Sequence, residues 1–398
     1  MMRWSPQQEH ALRKAKQWRT TGASPYFTLA GYAGTGKTTL ARHLAADAGG
    51  QVFFAAYTGK AAHVLRKTGI DASTIHKLIY LPRDKCDERL RDLERKLAML
   101  VGSGDEKAKK IIKLRQEIAA ERENLRRPDF TLNYDSPLRG ASLLVLDEYS
   151  MVDQQVGRDL LSFGCPILAL GDPGQLPPVR GSQYFTGEPD AMLTEIHRQA
   201  EGNPIIRMSR DVREGKRLVP GQYGSSRVLR RADVDAKALA DLMLGADQIL
   251  VGTNATRRSF NQHVRRLLGR TSPLPEVGDK LVCLRNNHLE GMLNGQIWMV
   301  GTVRPGRGFL RLGLYDEDGN KVTCLAHREY FEHEAVELDP RTRRAANEFD
   351  YGYVLTTHKS QGSQWDKVLV FDEWRGSNHS QWLYTAITRA AESVTVVM

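Results

Sequence analysis

The sequence predicts an α/β protein built on two parallel-sheet cores, the first interrupted by a helical hairpin and the second by a small β-barrel. Three observations carry this prediction. Short apolar runs alternate with helical stretches, a second set of such runs begins near residue 227, and two segments depart from the pattern altogether. With 398 residues, 41% of them hydrophobic and 26% charged, the chain is long enough for two or three domains that each bury a core. Such a composition excludes disordered and fibrous classes.

In the first core, YFTLA (26–30), VFFAAYT (52–58), SLLVLDE (142–148) and ILALGD (167–172) read as buried strands, with helices following Thr38 and Gly59. In the second, QILVGT (248–253) leads into a basic helix over 254–268 with Asn254 as its N-cap. KVLVFDE (367–373), a helix around 381–390 and SVTVV (393–397) complete it. Between residues 84 and 127, Leu90, Leu93, Leu97 and Leu100, and then Ile111, Leu114 and Ile118, recur at helical spacing around GSGD, which predicts an antiparallel helical hairpin. A solvated insertion without a specific role fits that pattern equally well. From 273 to 347 short β-like runs with glycine turns, such as GDKLVCLRN, GQIWMVGTV, FLRLGLY and KVTCLA, predict the barrel. The expected boundaries are 1–82 and 128–182 for the first core, 83–127 for the hairpin, 183–272 and 348–398 for the second core, and 273–347 for the barrel.

The net charge is +10. Such an excess of Lys and Arg suits a polyanionic partner, since each neutralised phosphate releases condensed counterions, although it serves solubility as well. No apolar run is long enough to span a bilayer, and no secretory signal opens the chain, so neither a membrane nor secretion is expected. Cys86, Cys165, Cys283 and Cys324 stand apart from one another, which argues against a disulfide framework or a zinc site and for a reducing cytoplasmic setting.

GYAGTGKTT (31–39) has the G-x-x-x-x-G-K-[ST] spacing of a phosphate loop, with a strand before it and a helix after it. Gly34, Thr35 and Gly36 let backbone N–H groups turn toward phosphates. Lys37 is placed to reach the β- and γ-phosphates of ATP, and Thr38, followed by Thr39, to take a Mg²⁺ position. Asp147 and Glu148 end an apolar strand, where ligands collect in open parallel sheets. Asp147 can hold Mg²⁺, and Glu148 can orient and deprotonate an attacking water, a pairing that suits hydrolysis better than transfer to a small acceptor.

The blocks GYAGTGKTT, LDEYSMV, GDPGQLPPV, LTEIHRQ, TTHKSQGSQWDKV and LYTAITRA stand in the order of the motifs of superfamily 1 helicases. AYTGKAA, STIHKL and THKSQGS resemble the RecD- and Dda-like branch, which moves 5′ to 3′. The resemblance implies two RecA-like cores and an SH3-like barrel. It implies that Gln8, or its neighbour Gln7, reads the adenine edge, and that Gln175 senses the γ-phosphate. Arg198 and Arg389 would be supplied to the γ-phosphate from the second core, and Gln361 and Gly362 would extend the ATP site. The strand contacts it implies are Thr58, Lys60, Thr74, His76, Thr357, His358, Lys359 and Ser360, by hydroxyl, amide and cation contacts to phosphate. Trp298 and Trp365 are read either as bases' stacking partners or as core.

The expected function is therefore an ATP- and Mg²⁺-dependent helicase acting on single-stranded DNA and duplex junctions, able to work as a monomer. A single-strand translocase with little unwinding and an RNA-directed relative are the rivals within the class. A P-loop small-molecule kinase, the rival from outside it, has no use for Arg198, Gln361 and Arg389. The family's insertion carries a β-hairpin wedge, whereas here only FTLNY (130–134) is strand-like.

Overall fold

The computed structural model describes residues 4–83, 88–102, 108–126, 129–177, 182–195, 202–287, 290–333, 336, 338, 342–343 and 345–398. Helix α1 (Pro6–Thr21) opens with a capping box between Ser5 and Gln8 and with Pro6 in its first turn, and stops at left-handed Gly22. There follow β1 (Tyr26–Gly31), α2 (Lys37–Ala46), β2 (Val52–Ala56), α3 (Gly59–Lys67), β3 (Ala72–Thr74) and α4 (Ile75–Ile79). After them come β4 (Tyr80–Arg83), α5 (Glu88–Gly102), α6 (Ala108–Arg126), β5 (Asp129–Leu132), β6 (Leu143–Asp147), α7 (Gln154–Leu161), β7 (Ile167–Gly171) and β8 (Ala191–Leu193).

The first sheet has the order β3-β2-β6-β7-β1-β8, with every pairing parallel. Helices cover both faces, which is why Leu143, Leu144, Val145 and Leu146 can be apolar in succession and all buried. Strand β8 belongs to this sheet, pairing Leu29 to Gly31 of β1, so the first core reaches beyond the expected boundary at 182. Three residues are too few to show a period; only their pairing with β1 assigns them.

The helical hairpin forms as expected, with Leu90, Leu93 and Ile118 buried between α5 and α6 and Leu97 packed against them. The tip, 103–107, lies outside the described residues. FTLNY does not stand alone. Strand β5 pairs antiparallel with β4, Tyr80 opposite Leu132 and Arg83 opposite Asp129, so the hairpin stands on a two-stranded ribbon.

The later strands are β9 (Gly221–Tyr223), β10 (Ser226–Leu229), β11 (Gln248–Val251), β12 (Lys280–Cys283), β13 (Ile297–Pro305), β14 (Phe309–Tyr315), β15 (Lys321–His327), β16 (Phe349–Tyr351), β17 (Val354–Thr356), β18 (Trp365–Phe371) and β19 (Ala390–Val397). The second sheet runs β17-β11-β18-β19-β10-β9, parallel except for the β9/β10 edge. Between β11 and β17 lies the antiparallel sheet β15-β14-β13-β12-β16. It curls until Ala326 bridges Asn347, and it encloses its own core around Trp298, Leu312 and Phe349. Strand β16 falls in this unit, so the insertion ends past the expected 347. The basic helix (Asn254–Leu267) is capped by Thr253, whose hydroxyl accepts from Thr256 N–H, and not by Asn254. Its Arg265 meets the fully buried Asp279 at 3.1 Å, and Arg270 meets the same carboxylate at 2.8 Å. This network holds the insertion to the second core.

Candidate functional site

Strand β1 delivers the chain to Gly31, after which Gly34 and Gly36 take φ of 80° and 81°, a left-handed conformation that turns loop amides inward. Lys37 Nζ donates to the carbonyls of Gly31, at 2.6 Å, and Tyr32, at 3.1 Å, and is thus folded over its own loop. The Thr35 hydroxyl donates to Tyr32 O at 2.8 Å. Of the two glutamines that the sequence left open, Gln8 touches this loop, donating to Thr35 O at 3.2 Å. Gln7 instead accepts from Thr194 N–H at 2.8 Å and Glu195 N–H at 3.0 Å, holding the chain after β8.

Asp147 and Glu148 stand at the carboxyl end of β6. Burial and the adjacent Glu148 charge push the Asp147 carboxyl up to about 7, while the Lys37 and Arg389 charges oppose the rise. Glu148 has φ of 56°, the one positive value for a non-glycine among the described residues. Strain of this kind costs about 1–3 kcal/mol and collects at working sites, where it aims a side chain. Gln175 donates to Glu148 Oε1 at 3.4 Å, and its own Oε1 is buried without a partner among the described residues.

The second core completes the site. A cleft of about 290 Å³ is lined by Ala33, Lys37, Thr38, Ala61, Val64, Asp147 and Glu148 on one side, and by Gly362, Ser363, Gln364, Thr388 and Arg389 on the other. Arg389 is 6% exposed and donates to Thr385 O at 3.1 Å and Ser363 O at 3.2 Å, which aims it at the cleft through backbone acceptors. Gly362 has φ of 72°, and a Cβ there would stand 2.8 Å from Thr58 Oγ1 and 2.9 Å from Ala61 Cβ. Only glycine allows that approach of one core to the other. Gln361 is buried and donates to Leu176 O at 2.8 Å, so it joins the cores without facing the cleft. Arg198 lies outside the described residues. Thr38 and Asp147 are hard oxygen donors on one cleft, and a divalent cation there would offset the cost of holding the half-buried Asp147 charge beside Glu148, so these residues fit Mg²⁺.

The expected strand contacts divide. Thr58 and Thr74 cap α3 and α4, their hydroxyls accepting from Ala61 N–H and Lys77 N–H, each at 3.1 Å. His76 sits among the rings of Tyr57, Tyr80 and Phe130, where burial lowers its pKa. His358 lies beside Trp374 with ring centroids 5.6 Å apart, and Lys359 is exposed. Thr357 and Ser360 are fully buried, so their side chains do not face a strand groove. Lys60 is nearly buried, 3.1 Å from Glu317 of the barrel and 5.0 Å above the Trp365 ring. Trp298 and Trp365 are core residues. Among the described residues no cluster of His, Cys, Asp and Glu could hold a metal on its own, and no helix is long and apolar enough to cross a membrane.

Two residues at the junction were not legible as functional. Arg213 places its guanidinium 3.5 Å over the Tyr32 ring of the phosphate loop, and Tyr384 reaches the same loop from the second core. Each sits in an amphipathic or apolar helix whose local pattern says core or surface, and nothing nearby pairs it with residues so distant in sequence.

Residues 3–229 match the family described as "AAA domain", and residues 351–397 match the UvrD-like helicase C-terminal domain. The chain is 28% identical over 396 residues to the ATP-dependent RecD2 DNA helicase of Deinococcus radiodurans, covering 92% of this chain and 46% of that protein. It is 27% identical over 289 residues to the conjugal transfer protein TraA of Agrobacterium fabrum, covering 65% of this chain and 24% of the other. It thus spans less than half the length of these curated relatives. In fold it is similar to Bacteroides Pif1 bound to single-stranded DNA (TM-score 0.52, 18% identity, 99% of this chain and 92% of that one). The Pif1 helicase of Candida albicans is similar too (TM-score 0.50, 20% identity, 100% and 94%).

Proposed function

The chain belongs to the AAA-domain family, and on that premise we propose that it is a superfamily 1 helicase of RecD type that couples ATP hydrolysis to 5′-to-3′ movement on single-stranded DNA and to duplex unwinding. One observation carries the reading: residues from both cores line one cleft, Lys37, Thr38, Asp147 and Glu148 facing Ser363, Thr388 and Arg389.

Lys37 leaves its loop carbonyls to meet the β- and γ-phosphates, and the loop amides take the remaining phosphate oxygens. Thr38 and Asp147 would hold Mg²⁺, which neutralises charge between those phosphates when bound. Glu148 accepts the proton of the attacking water, and the Gln175 amide on its carboxylate keeps it pointed. Arg389 comes onto the transferred phosphoryl oxygens from the second core, with Arg198 as its counterpart from the motif order. Gln8 steadies the phosphate loop near the adenine side. ATP thereby binds the closed cleft better than the open one, and alternating closure converts into steps if the strand crosses both cores.

For the strand, Thr58, Thr74, His76, His358 and Lys359 remain the contact set, and Lys60 joins them once its partner Glu317 moves away. The acting unit is a monomer, the partners are single-stranded DNA and duplex junctions, and the setting is cytoplasmic. An unwinding assay on duplexes with a 5′ or a 3′ single-stranded tail, in DNA and in RNA, tests the proposal. Unwinding confined to 5′-tailed DNA is expected. Strand-stimulated ATPase without unwinding would make the chain a translocase, and preference for RNA tails would overturn the DNA assignment.

A further inference from the structure

The hydroxyl of Tyr384 lies where three elements of the two cores converge. The residue belongs to the second-core helix (His379–Ile387) that leads into Arg389, yet among the described residues its hydroxyl bonds only to the first core. It donates to Asp172 Oδ2 at 2.6 Å and accepts from the backbone N–H of Ala33, in the phosphate loop, at 3.2 Å. Both Tyr384 and Asp172 are buried, at 1% and 2% exposure. Burial and the Asp172 charge push the Tyr384 hydroxyl far above its ordinary range, so it stays protonated and Asp172 stays the acceptor.

Asp172 organises the turn after β7. Its Oδ1 accepts from Gly174 N–H at 2.9 Å, and its carbonyl accepts from Gln175 N–H at 3.1 Å. Gln175 is the residue whose amide rests on Glu148. The turn lies directly on the tyrosine ring, since a Cβ on Gly174 would stand 2.9 Å from Tyr384 Cε1. One residue on, Leu176 N–H donates to Thr385 Oγ1 at 3.0 Å. The same helix therefore leads into Arg389, two residues past its end, and grips both the phosphate loop and the turn that orients the catalytic carboxylate.

We propose that Tyr384 is a positioning residue that ties the arrival of Arg389 to the alignment of Glu148 and the phosphate loop. Its hydroxyl links the Ala33 amide on one side and, through Asp172 and the turn to Gln175, the carboxylate on the other. A ring without the hydroxyl packs equally well but leaves Ala33 N–H and Asp172 Oδ2 without this partner, so the second core can close without registering the first. This role rests on the motor reading above.

The test is Tyr384→Phe, measured for strand-stimulated ATPase, nucleotide affinity with a fluorescent ATP analogue, strand affinity and melting temperature. The stimulated kcat should fall about tenfold or more, while KM and nucleotide affinity stay within about twofold, the pattern of an interaction used in the transition state only. Asp172→Asn acts on the same chain of contacts and carries the test if the phenylalanine variant folds poorly. The double variant should be no worse than the weaker single one, because coupled residues are non-additive. Stimulated turnover of Tyr384→Phe within about twofold of wild type, or additive losses in the double variant, would overturn the role. A wild-type chain without strand-stimulated hydrolysis would sink the motor reading itself.

Discussion

Lys37 and Arg389 approach the same cleft from different cores, and their loss should be felt differently. Lys37→Ala removes the cation proposed to meet the phosphates, and should abolish hydrolysis in a colorimetric phosphate assay while single-strand binding by anisotropy persists. Arg389→Ala should keep nucleotide binding yet lower kcat about a thousandfold, the scale of a supplied arginine; Arg389→Lys should not restore it, since an ammonium lacks the planar fork. Glu148→Gln preserves shape but not basicity, and single-turnover hydrolysis should fall about 10²–10⁴-fold, the range expected for a general base. The left-handed backbone at Glu148 argues for the same assignment, because strain of this kind collects at working sites.

At the scale of elements, the helical hairpin is separable at the far end of its ribbon, whose Tyr80 and Leu132 pack on the first core. Its core of Leu90, Leu93 and Ile118 is its own, and Arg83 stands opposite Asp129 at the end of the ribbon. Replacing 84–128 by an Asn-Gly turn should therefore leave strand-stimulated ATPase intact and change duplex separation on forked substrates. Unaltered unwinding would make the hairpin a solvated insertion and no more. The barrel depends on Asp279, which meets both Arg265 and Arg270 in the interior. Asp279→Ala removes the buried carboxylate that Arg265 and Arg270 share, leaving Arg265 the longer contact to Glu276 at 3.5 Å, and should lower stability by about 3–5 kcal/mol, read as a lower urea midpoint.

Across the whole molecule, the barrel and the first core meet through charge. Lys60 lies 3.1 Å from Glu317, and His63 and Lys67 each lie 3.0 Å from Asp318. Lys60, Lys67 and the His63 ring sit on α3, beside Thr58, on the face expected to meet phosphates. Glu317→Gln with Asp318→Asn should free them and raise single-strand affinity severalfold at low salt, with the gain shrinking as ionic strength rises. Equal affinities for wild type and variant at both salts would separate that face from the strand path.

The chemistry of the first core was legible because it is local. A strand, a glycine turn and a helix adjacent in sequence make the phosphate loop, and an apolar run ending in Asp147 and Glu148 places a carboxylate pair by strand geometry alone. The two-core architecture and the helical hairpin followed from period for the same reason. What only the tertiary structure decided is everything that depends on distant pairing: that β8 completes the first sheet, that β16 belongs to the barrel, that Thr357 and Ser360 face inward, that Lys60 is held by Glu317, and that Tyr384 reaches Ala33 and Asp172. Neighbouring residues dictate backbone conformation and periodicity, whereas burial and partnership are set by elements brought together from far along the chain.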